Sequence, residues 1–230
     1  MGAVNASPPP GGPPVTAFFD MDRTLVPFNS GLSYVHYERR HGRVSRLGVA
    51  RASLWMVGYH LGVIDMEAAF RHALDVYRGV PAAELDRRTR AWFAEAVAPR
   101  LSDGARDAIA HHREAGHHVV LLTSSSGYAA RAAAEAWGLD GWIANRFNQD
   151  ADGILDGSWA PPLCYGPGKI VHAERWAAAR GATLDDAWFY SDSVSDLPML
   201  ERVAHPRVVN PDPRLRRVAR RRGWEVLRWA

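Results

Sequence analysis

Apolar and polar positions follow two different rhythms along the chain. Residues 15–20, VTAFFD, form a short apolar run that ends in an acid, which is typical of a buried strand with a polar group at its carboxyl end. Between residues 30 and 100, apolar positions recur at helical spacing, with Gly79 and Pro81 as breaks. The first hundred residues therefore predict one strand followed by a small helical subdomain.

After Leu101 the pattern changes to alternating helices and strands. It predicts helices over 103–115, 128–137, 169–180 and 197–203, strands over 118–123, 142–144, 187–190, 208–209 and 225–227, and a hairpin around 150–157. Repeated units of this kind indicate a mostly parallel sheet with helices on both faces. Ligands bind such sheets beyond the carboxyl ends of the strands, where Asp20, Thr123 and Asp192 are each predicted to lie.

The composition is typical of a soluble globular protein. With 230 residues, 47% of them hydrophobic, the chain can bury a core domain with an inserted subdomain. The formal charge is +3, and of 28 basic residues only Lys169 is a lysine, a bias that we attribute to a GC-rich genome. The single cysteine, Cys164, cannot form an intramolecular disulfide, and we expect an ordinary core or loop residue in a reducing cytoplasm.

No segment predicts export or insertion into a membrane. Residues 1–14 contain five prolines and neither a positive nor an apolar targeting region, so we expect a disordered leader. Residues 47–64 are the most apolar long stretch, but they include Arg51 and His60 and predict a buried or partly buried helix. We expect a cytoplasmic protein without a membrane span.

The motif DMDRTL places two acids directly after the first strand. Side chains in an extended segment alternate, so Asp20 and Asp22 can face the same site. Two neighbouring carboxylates repel, which favours a bound divalent cation or a shared proton. One acid could attack a substrate while the other transfers a proton; the alternative is a loop with capping residues.

Three further features are predicted to lie near the same edge. Thr123 precedes Ser124 and a serine cluster ahead of a helix, where hydroxyl and N–H groups can hold a phosphate, although Ser126 is expected to be a simple N-cap. Lys169, at GPGK, is a compact charge that suits one phosphoryl group. In YSDSVSDLPML, Asp192 and Asp196 offer the hard oxygen ligands that suit magnesium, and Asp196 can also act as an N-cap.

In order and spacing, DMDRTL, Thr123, Lys169 and YSDSVSD resemble the four motifs of haloacid dehalogenase superfamily phosphatases. The early helical insertion resembles the cap of the phosphoserine phosphatase-like branch, subfamily IB. The resemblance implies a Rossmann-like α/β core over 15–28 and 101–230, with a mostly parallel sheet, and an inserted helical cap of the C1 type over 29–100.

The resemblance also implies a mechanism and a cofactor. Asp20 would attack phosphorus and form an aspartyl phosphate, while Asp22 protonates the leaving group and later activates water. Thr123, Ser124 and Lys169 would hold the phosphoryl group. Mg²⁺ would be bound by Asp20, the main-chain carbonyl of Asp22 and Asp192, with Asp196 in or next to that shell. The implied activity is hydrolysis of a small phosphomonoester.

Several positions of this sequence differ from the residues that bind phosphoserine in the phosphoserine phosphatase-like branch. Counting without gaps from DMDRTL, Asn29 falls where phosphoserine phosphatases have a glutamate that engages the substrate. Ala73 falls near the position of the arginine that binds the substrate carboxylate. Arg71 could take the place of that arginine only if the alignment is shifted. Ser191 and Ser195 stand where glycine and asparagine are usual. Candidate selectivity residues of the insertion are Phe28, Tyr34, His36, Trp55, Tyr59 and His72.

Two other functions are compatible with the sequence. A phosphotransferase or phosphomutase of the same superfamily would pass the phosphoryl group to another alcohol instead of water. A binding module for nucleic acid or anionic lipid would use the basic segment Arg214, Arg216, Arg217, Arg220, Arg221 and Arg222. We do not expect nucleic acid as a partner, because arginines on a helix surface are usually solvated and the chain lacks interleaved aromatic residues.

Overall fold

The computed structural model describes residues 14–50, 54 and 66–229. The predicted leader lies outside the described residues except for Pro14. So does most of the predicted helix over 47–64, of which residues 47–50 and 54 are described and are helical. Within the described part of the chain, every helix is too short or too polar to cross a bilayer.

A six-stranded sheet forms the centre of the molecule. The strands are β1 (Thr16–Phe19), β2 (His118–Ser126), β3 (Gly141–Asn145), the separate hairpin β4 (Phe147–Gln149) and β5 (Leu155–Trp159), then β6 (Trp188–Ser191), β7 (His205–Val209) and β8 (Val226–Leu227). The sheet order is β3-β2-β1-β6-β7-β8, and all its pairings are parallel. β1 is central and buried along its length, which explains its uninterrupted apolar sequence.

Helices cover both faces of this sheet. After α1 (Ser30–Arg40), α2 (Met66–Asp75) and α3 (Ala82–Trp92), which follow β1, the helices on the sheet are α4 (Asp103–Glu114), α5 (Gly127–Trp137), α6 (Pro167–Ala178), α7 (Leu197–Arg202) and α8 (Pro213–Arg222). Ile109 of α4 and Ala130 of α5 belong to one buried cluster, and Ala173 of α6, Leu200 of α7 and Leu215 of α8 belong to a second. The predicted α/β class with a mostly parallel sheet is confirmed.

The helices between β1 and α4 pack against one another, against α5 and against the hairpin. α3 packs against α1 and α5, and α2 packs against β5. Ala82, Leu85 and Leu155 make a small third core between this helical insertion and the hairpin. The insertion is therefore joined to the rest of the molecule through the hairpin as well as through the chain.

Three predicted boundaries were wrong. β2 continues through Ser126 instead of ending at Thr123, because its pairing with β3 shifts register after Leu122. α6 begins at Pro167, since proline fits the first helical position, where no hydrogen-bond donor is needed. β7 begins three residues before the predicted strand, at His205, in a polar stretch that the apolar pattern does not reveal.

A buried histidine of α4 contacts the side chain of Tyr190 in β6. His112, on α4, lies with Nε2 3.0 Å from the Tyr190 hydroxyl and Nδ1 2.9 Å from Nδ1 of His117. Its burial, together with His117, lowers the pKa of His112 to about 3. The main-chain carbonyl of Tyr190 accepts a hydrogen bond from the Asp20 N–H at 2.9 Å, so this contact lies directly under the predicted site.

Acidification is expected to destabilise the fold through His112. Its pKa is about 3 in the folded chain and near 6.5 when unfolded, so the unfolded state binds more protons between these values. The contribution of neutral His112 to the free energy of unfolding is fully present above about pH 6.5. It falls by several kcal/mol as the pH is lowered towards the folded-state pKa. Urea unfolding at pH 7.5, 6 and 5 measures it. His112→Gln should flatten the pH dependence and the exposed control His36→Gln should not; equal slopes would contradict this assignment.

Candidate active site

The carboxyl ends of β2, β1 and β6 lie side by side in the sheet. Asp20 and Asp192 directly follow β1 and β6, as the strand pattern predicts, whereas Thr123 lies within β2, which continues beyond it to Ser126. All three side chains are buried. The edge is therefore a polar site enclosed by the protein, unlike an ordinary solvated loop surface.

Lys169 lies at the centre of this site. Its Nζ donates to Asp20 Oδ1 and to Asp196 Oδ2, each at 2.8 Å, and only 1% of the residue is exposed. Burial alone lowers the pKa of Lys169, but the carboxylates of Asp196 and Asp20 outweigh it and hold the pKa well above its ordinary value. Lys169 is thus a fixed cation between two acids.

The GPGK sequence explains how the lysine is brought inside. Gly166 precedes α6 at φ +50°, which an L side chain rarely adopts, and a Cβ on Gly168 would lie 2.0 Å from the Leu163 carbonyl oxygen. Pro167 starts the helix between them. Only a chain without side chains at both glycines can make this close turn and aim Lys169 at β1.

The two carboxylate oxygens of Asp196 differ in their hydrogen bonding. Its Oδ2 accepts from the Ser191 hydroxyl at 2.7 Å in addition to Lys169. Its Oδ1 is buried and has no hydrogen-bond partner among the described residues. Ser191, where the phosphoserine phosphatase pattern has glycine, therefore helps to orient Asp196.

Asp22 lies in the core segment, a few residues before the helical insertion. Its Oδ1 accepts from the N–H of Ser30, the first residue of α1, at 3.0 Å. The chain turns sharply between them, with Arg23 at φ 56° and Val26 N–H bonded to the Met21 carbonyl at 3.1 Å. Burial raises the pKa of Asp22, although hydrogen bonds from Ser30 oppose the change. Such a carboxyl is suited to holding and releasing a proton.

The electrostatics of the site favour a bound cation. Burial raises the pKa of Asp20 to about 7 against the opposing effect of Lys169. Burial also raises the pKa of Asp192 to about 8, and the negative charges of Asp20 and Asp196 contribute to this rise in pKa. Together with Asp22, the site holds four carboxyl groups and one buried lysine, which bonds two of them. Asp196 Oδ1 has no hydrogen-bond partner among the described residues. These donors fit a hard divalent cation such as Mg²⁺.

A complete cage of side chains is absent from the described residues, where no three His, Cys, Asp or Glu side chains are grouped to hold a metal. Mg²⁺ does not require one, since it commonly takes one or two protein carboxylates and completes its shell with other oxygens. A small set of protein carboxylates is therefore sufficient for such an ion.

The segment after Thr123 presents main-chain groups at the start of α5. Thr123 Oγ1 accepts from the Ser125 N–H at 3.2 Å, and Ser126 Oγ accepts from the Ala129 N–H at 3.2 Å. The second contact confirms the predicted N-cap. The N-terminus of a helix favours anions, so this segment can receive a phosphate near Ser124.

Two positioning residues were missed by the sequence analysis. Asn145 Nδ2 donates to the Ser124 carbonyl at 2.7 Å, while its Oδ1 accepts from the Cys164 N–H at 2.8 Å. Asp212 Oδ2 accepts from the Val194 N–H at 2.6 Å, and its own N–H donates to the Asp192 carbonyl at 2.8 Å. Asn145 ends β3 and Asp212 follows β7, and this position at the carboxyl ends of parallel strands is the one signal that could have identified them.

Several candidates of the helical insertion have other roles. Asn29 caps α1 by accepting from the Leu32 N–H at 2.9 Å, Arg71 is exposed and paired with Glu67 at 3.1 Å, and Ala73 is exposed. Phe28 and Tyr34 pack against the core, His36 and His72 are exposed, and Trp55 and Tyr59 lie outside the described residues. Ser195 Oγ lies 2.9 Å from Ser193 Oγ within the turn before α7.

Cys164 is a core residue, as predicted. It is completely buried, and burial raises the pKa of its thiol to about 12. A thiol in this state is not a nucleophile near neutral pH. Its main-chain N–H, bonded to Asn145, is the part that contributes to the site.

The sheet and this edge together define a Rossmann-like α/β hydrolase with a carboxylate-rich site. The sequence model of the haloacid dehalogenase-like hydrolases matches residues 17–201, and the chain belongs to this family. Within the family it is phosphoserine phosphatase-like, as the relatives indicate. The chain is 37% identical over 219 residues to phosphoserine phosphatase SerB1 of Mycobacterium tuberculosis, covering 91% of this chain and 69% of that protein.

Two other proteins are similar over nearly their whole length. A histidinol-phosphatase of Neisseria meningitidis is 29% identical over 215 residues, which cover 92% of this chain and 97% of that protein. A solved structure of a Bordetella pertussis protein of unknown function superposes with a TM-score of 0.85 and 30% identity, covering 94% of this chain and 99% of that one. The similarity therefore includes the helical insertion as well as the sheet.

Proposed function

We propose that the protein is a magnesium-dependent phosphomonoesterase that hydrolyses a small phosphorylated metabolite through an aspartyl-phosphate intermediate. The buried contact of Lys169 with Asp20 and Asp196 is the observation that carries this proposal. It holds an attacking carboxylate and a permanent positive charge in one enclosed position, which is what transfer of a phosphoryl group requires. The relatives named as phosphatases support it.

In the proposed reaction, a carboxylate oxygen of Asp20 attacks phosphorus while Asp22 donates its proton to the leaving alkoxide. An aspartyl phosphate and a free alcohol result. Asp22 then accepts a proton from the water that attacks phosphorus, which releases phosphate and restores Asp20. Lys169, Thr123 and Ser124 would hold the oxygens on which the charge of the transferring group resides.

The metal ligands in this proposal are Asp20, the main-chain carbonyl of Asp22 and Asp192, with Asp196 in or next to that set. Bound Mg²⁺ would supply positive charge to the phosphoryl oxygens. Asp196, which already binds Lys169, would position the lysine as its main task. Asp212 would keep Asp192 in place through the carbonyl contact.

We further propose that the helical insertion, residues 29–100, is a cap that selects the leaving group. Phosphoserine is not the favoured substrate, because Asn29 is engaged in capping α1 and Arg71 is bound to Glu67 at an exposed position. Neither residue supplies the groups that a phosphoserine site needs. Another small phosphorylated alcohol, as in the histidinol-phosphatase relative, fits the same chemistry.

Release of phosphate from an aryl phosphate, with and without Mg²⁺, tests the proposal. We expect turnover that EDTA abolishes and Mg²⁺ restores. Mg²⁺ should also raise the melting temperature, and Asp192→Asn should remove that shift because it loses a proposed ligand. A panel including histidinol phosphate and phosphoserine then gives the substrate. Activity that is unchanged by EDTA would contradict the metal, and mass analysis showing phosphate only on a second alcohol would favour a phosphotransferase.

Asn145→Asp is expected to lower kcat/KM by about 10- to 100-fold and to weaken inhibition by inorganic phosphate. The new carboxylate keeps the acceptor for Cys164 N–H but faces the Ser124 carbonyl without a donor, so the phosphate-holding segment shifts. Asn148→Asp makes the same change in the hairpin, where Asn148 bonds Ser158, and should leave both constants unchanged. Equal effects of the two variants would contradict a positioning role.

A further inference from the structure

A basic groove lies at the outer edge of the sheet, between α8 and the end of β8. It encloses about 510 Å³ and is lined by Asn210, Pro211, Arg216, Arg220, Val226 and Arg228. Three of these six residues are arginines, and none is acidic. The groove is therefore a concave surface of one charge sign.

The three arginines of the groove face one another without a carboxylate partner among the described residues. Arg216 and Arg220 are four residues apart, so they lie on the same side of α8, and Arg228 approaches from the edge strand. In the part of the chain that the structure describes, no carboxylate forms an ion pair with these three. Neighbouring Arg207 and Arg222 are paired with Glu225 and Glu201, while Arg214, Arg217 and Arg221 of α8 have no ion pair among the described residues either, so the concave shape is what sets the groove apart.

The chemistry of guanidinium groups indicates what this groove can bind. Each group is planar and presents parallel N–H donors that match the oxygens of phosphate in pairs. Three of them around one concavity repel one another, and a multiply charged anion removes that repulsion. A phosphate-type anion satisfies both the geometry and the charge.

The groove is connected to the catalytic edge but separate from it. Asn210 lines the groove, and its Nδ2 lies 3.4 Å from the carbonyl oxygen of Arg23, the residue after Asp22. The strand order β1-β6-β7-β8 places β7 and β8 roughly 10 to 15 Å from Asp20 at the usual strand spacing. One phosphate cannot occupy both places.

We propose that this groove is a second anion site, which binds a phosphate or polyphosphate group distinct from the one that reacts at Asp20. The group belongs either to the far end of an extended substrate or to a free metabolite, since the recognising chemistry is the same. The site does not depend on the proposed phosphatase activity. A polymer such as nucleic acid would also use Arg214, Arg217 and Arg221, which lie outside the groove.

Titration calorimetry with tripolyphosphate, in EDTA so that no metal contributes, measures binding without turnover. We expect the double variant Arg216→Gln/Arg220→Gln to lose at least about tenfold in affinity, since two charge-assisted contacts are removed. The double variant Arg214→Gln/Arg217→Gln has the same change in net charge on the same helix and should keep its affinity. Failure of the wild type to bind tripolyphosphate, or equal losses in the two variants, would overturn the proposal.

Two further arms identify the source of the anion. If it is part of the substrate, the groove variant should raise KM for bisphosphorylated substrates and leave KM for an aryl phosphate unchanged. If it is free, tripolyphosphate should shift the melting temperature of the wild type but not of the groove variant, with KM unchanged for both substrates. Binding only to DNA or to anionic vesicles, with none to tripolyphosphate, would overturn a small-anion site.

Discussion

Replacing Asp20 with asparagine is expected to lower kcat by about 10⁴-fold or more, as loss of a nucleophile does in other covalent mechanisms. The amide has the same shape and keeps an oxygen for the Lys169 contact, but it cannot attack phosphorus. Stability should not fall, because the change removes one charge from a buried cluster in which the pKa of Asp20 is already raised to about 7. Steady-state kinetics and urea unfolding measure the two effects separately.

A surface substitution provides the control for this experiment. Asp107→Asn removes a charge from the exposed side of α4 and should alter neither kcat nor stability. Acid quenching of the wild type during turnover should trap phosphate on the protein, and the Asp20 variant should trap none. Activity of Asp20→Asn equal to the wild type would refute the mechanism, whereas loss of folding would only show a structural role.

Lys169→Met is expected to reduce kcat/KM by about 10³-fold and to destabilise the fold by roughly 3 to 5 kcal/mol. Methionine fills similar space, but Asp20 and Asp196 are left buried without their counter-charge. Lys169→Arg should not restore activity, because the wide guanidinium does not fit where Nζ bridges two carboxylates at 2.8 Å. Urea unfolding and initial rates provide the measurements.

Arg175→Met is the matched control, since Arg175 lies exposed six residues further along α6. It should leave both kinetics and stability near the wild-type values. Added Mg²⁺ should recover part of the stability lost in Lys169→Met, because the cation offsets the same carboxylates. An Lys169→Arg protein with wild-type rates would show that charge alone, without the compact shape of lysine, is sufficient.

The sequence predicted the parts of the site that follow from local chemistry. Asp20 and Asp22 are adjacent to an apolar strand, and Lys169 is the single lysine of the chain, so each could be recognised from its neighbours. Parallel strand order then brought their partners together. The same reasoning anticipated the N-cap at Ser126 and the inert Cys164.

Other features depend on contacts that no local pattern encodes. Asn145 matters because it joins residues 124 and 164 across the sheet edge, and neither is near it in the sequence. Asp212 caps α8 by accepting from the Leu215 N–H, and its other carboxylate oxygen accepts from the Val194 N–H. The extension of β2 to Ser126 arises from a register shift with β3. Such roles follow from the assembled fold, and the periodicity of apolar residues carries no trace of them.

The hydrogen bond from the Ser30 N–H links the helical insertion directly to Asp22. Since Ser30 is the first residue of α1, a rotation of that helix relative to β1 must move the partner of the carboxylate. The proton affinity of Asp22 therefore depends on the position of α1, because the hydrogen bond from Ser30 opposes the rise in the pKa of Asp22 that burial causes.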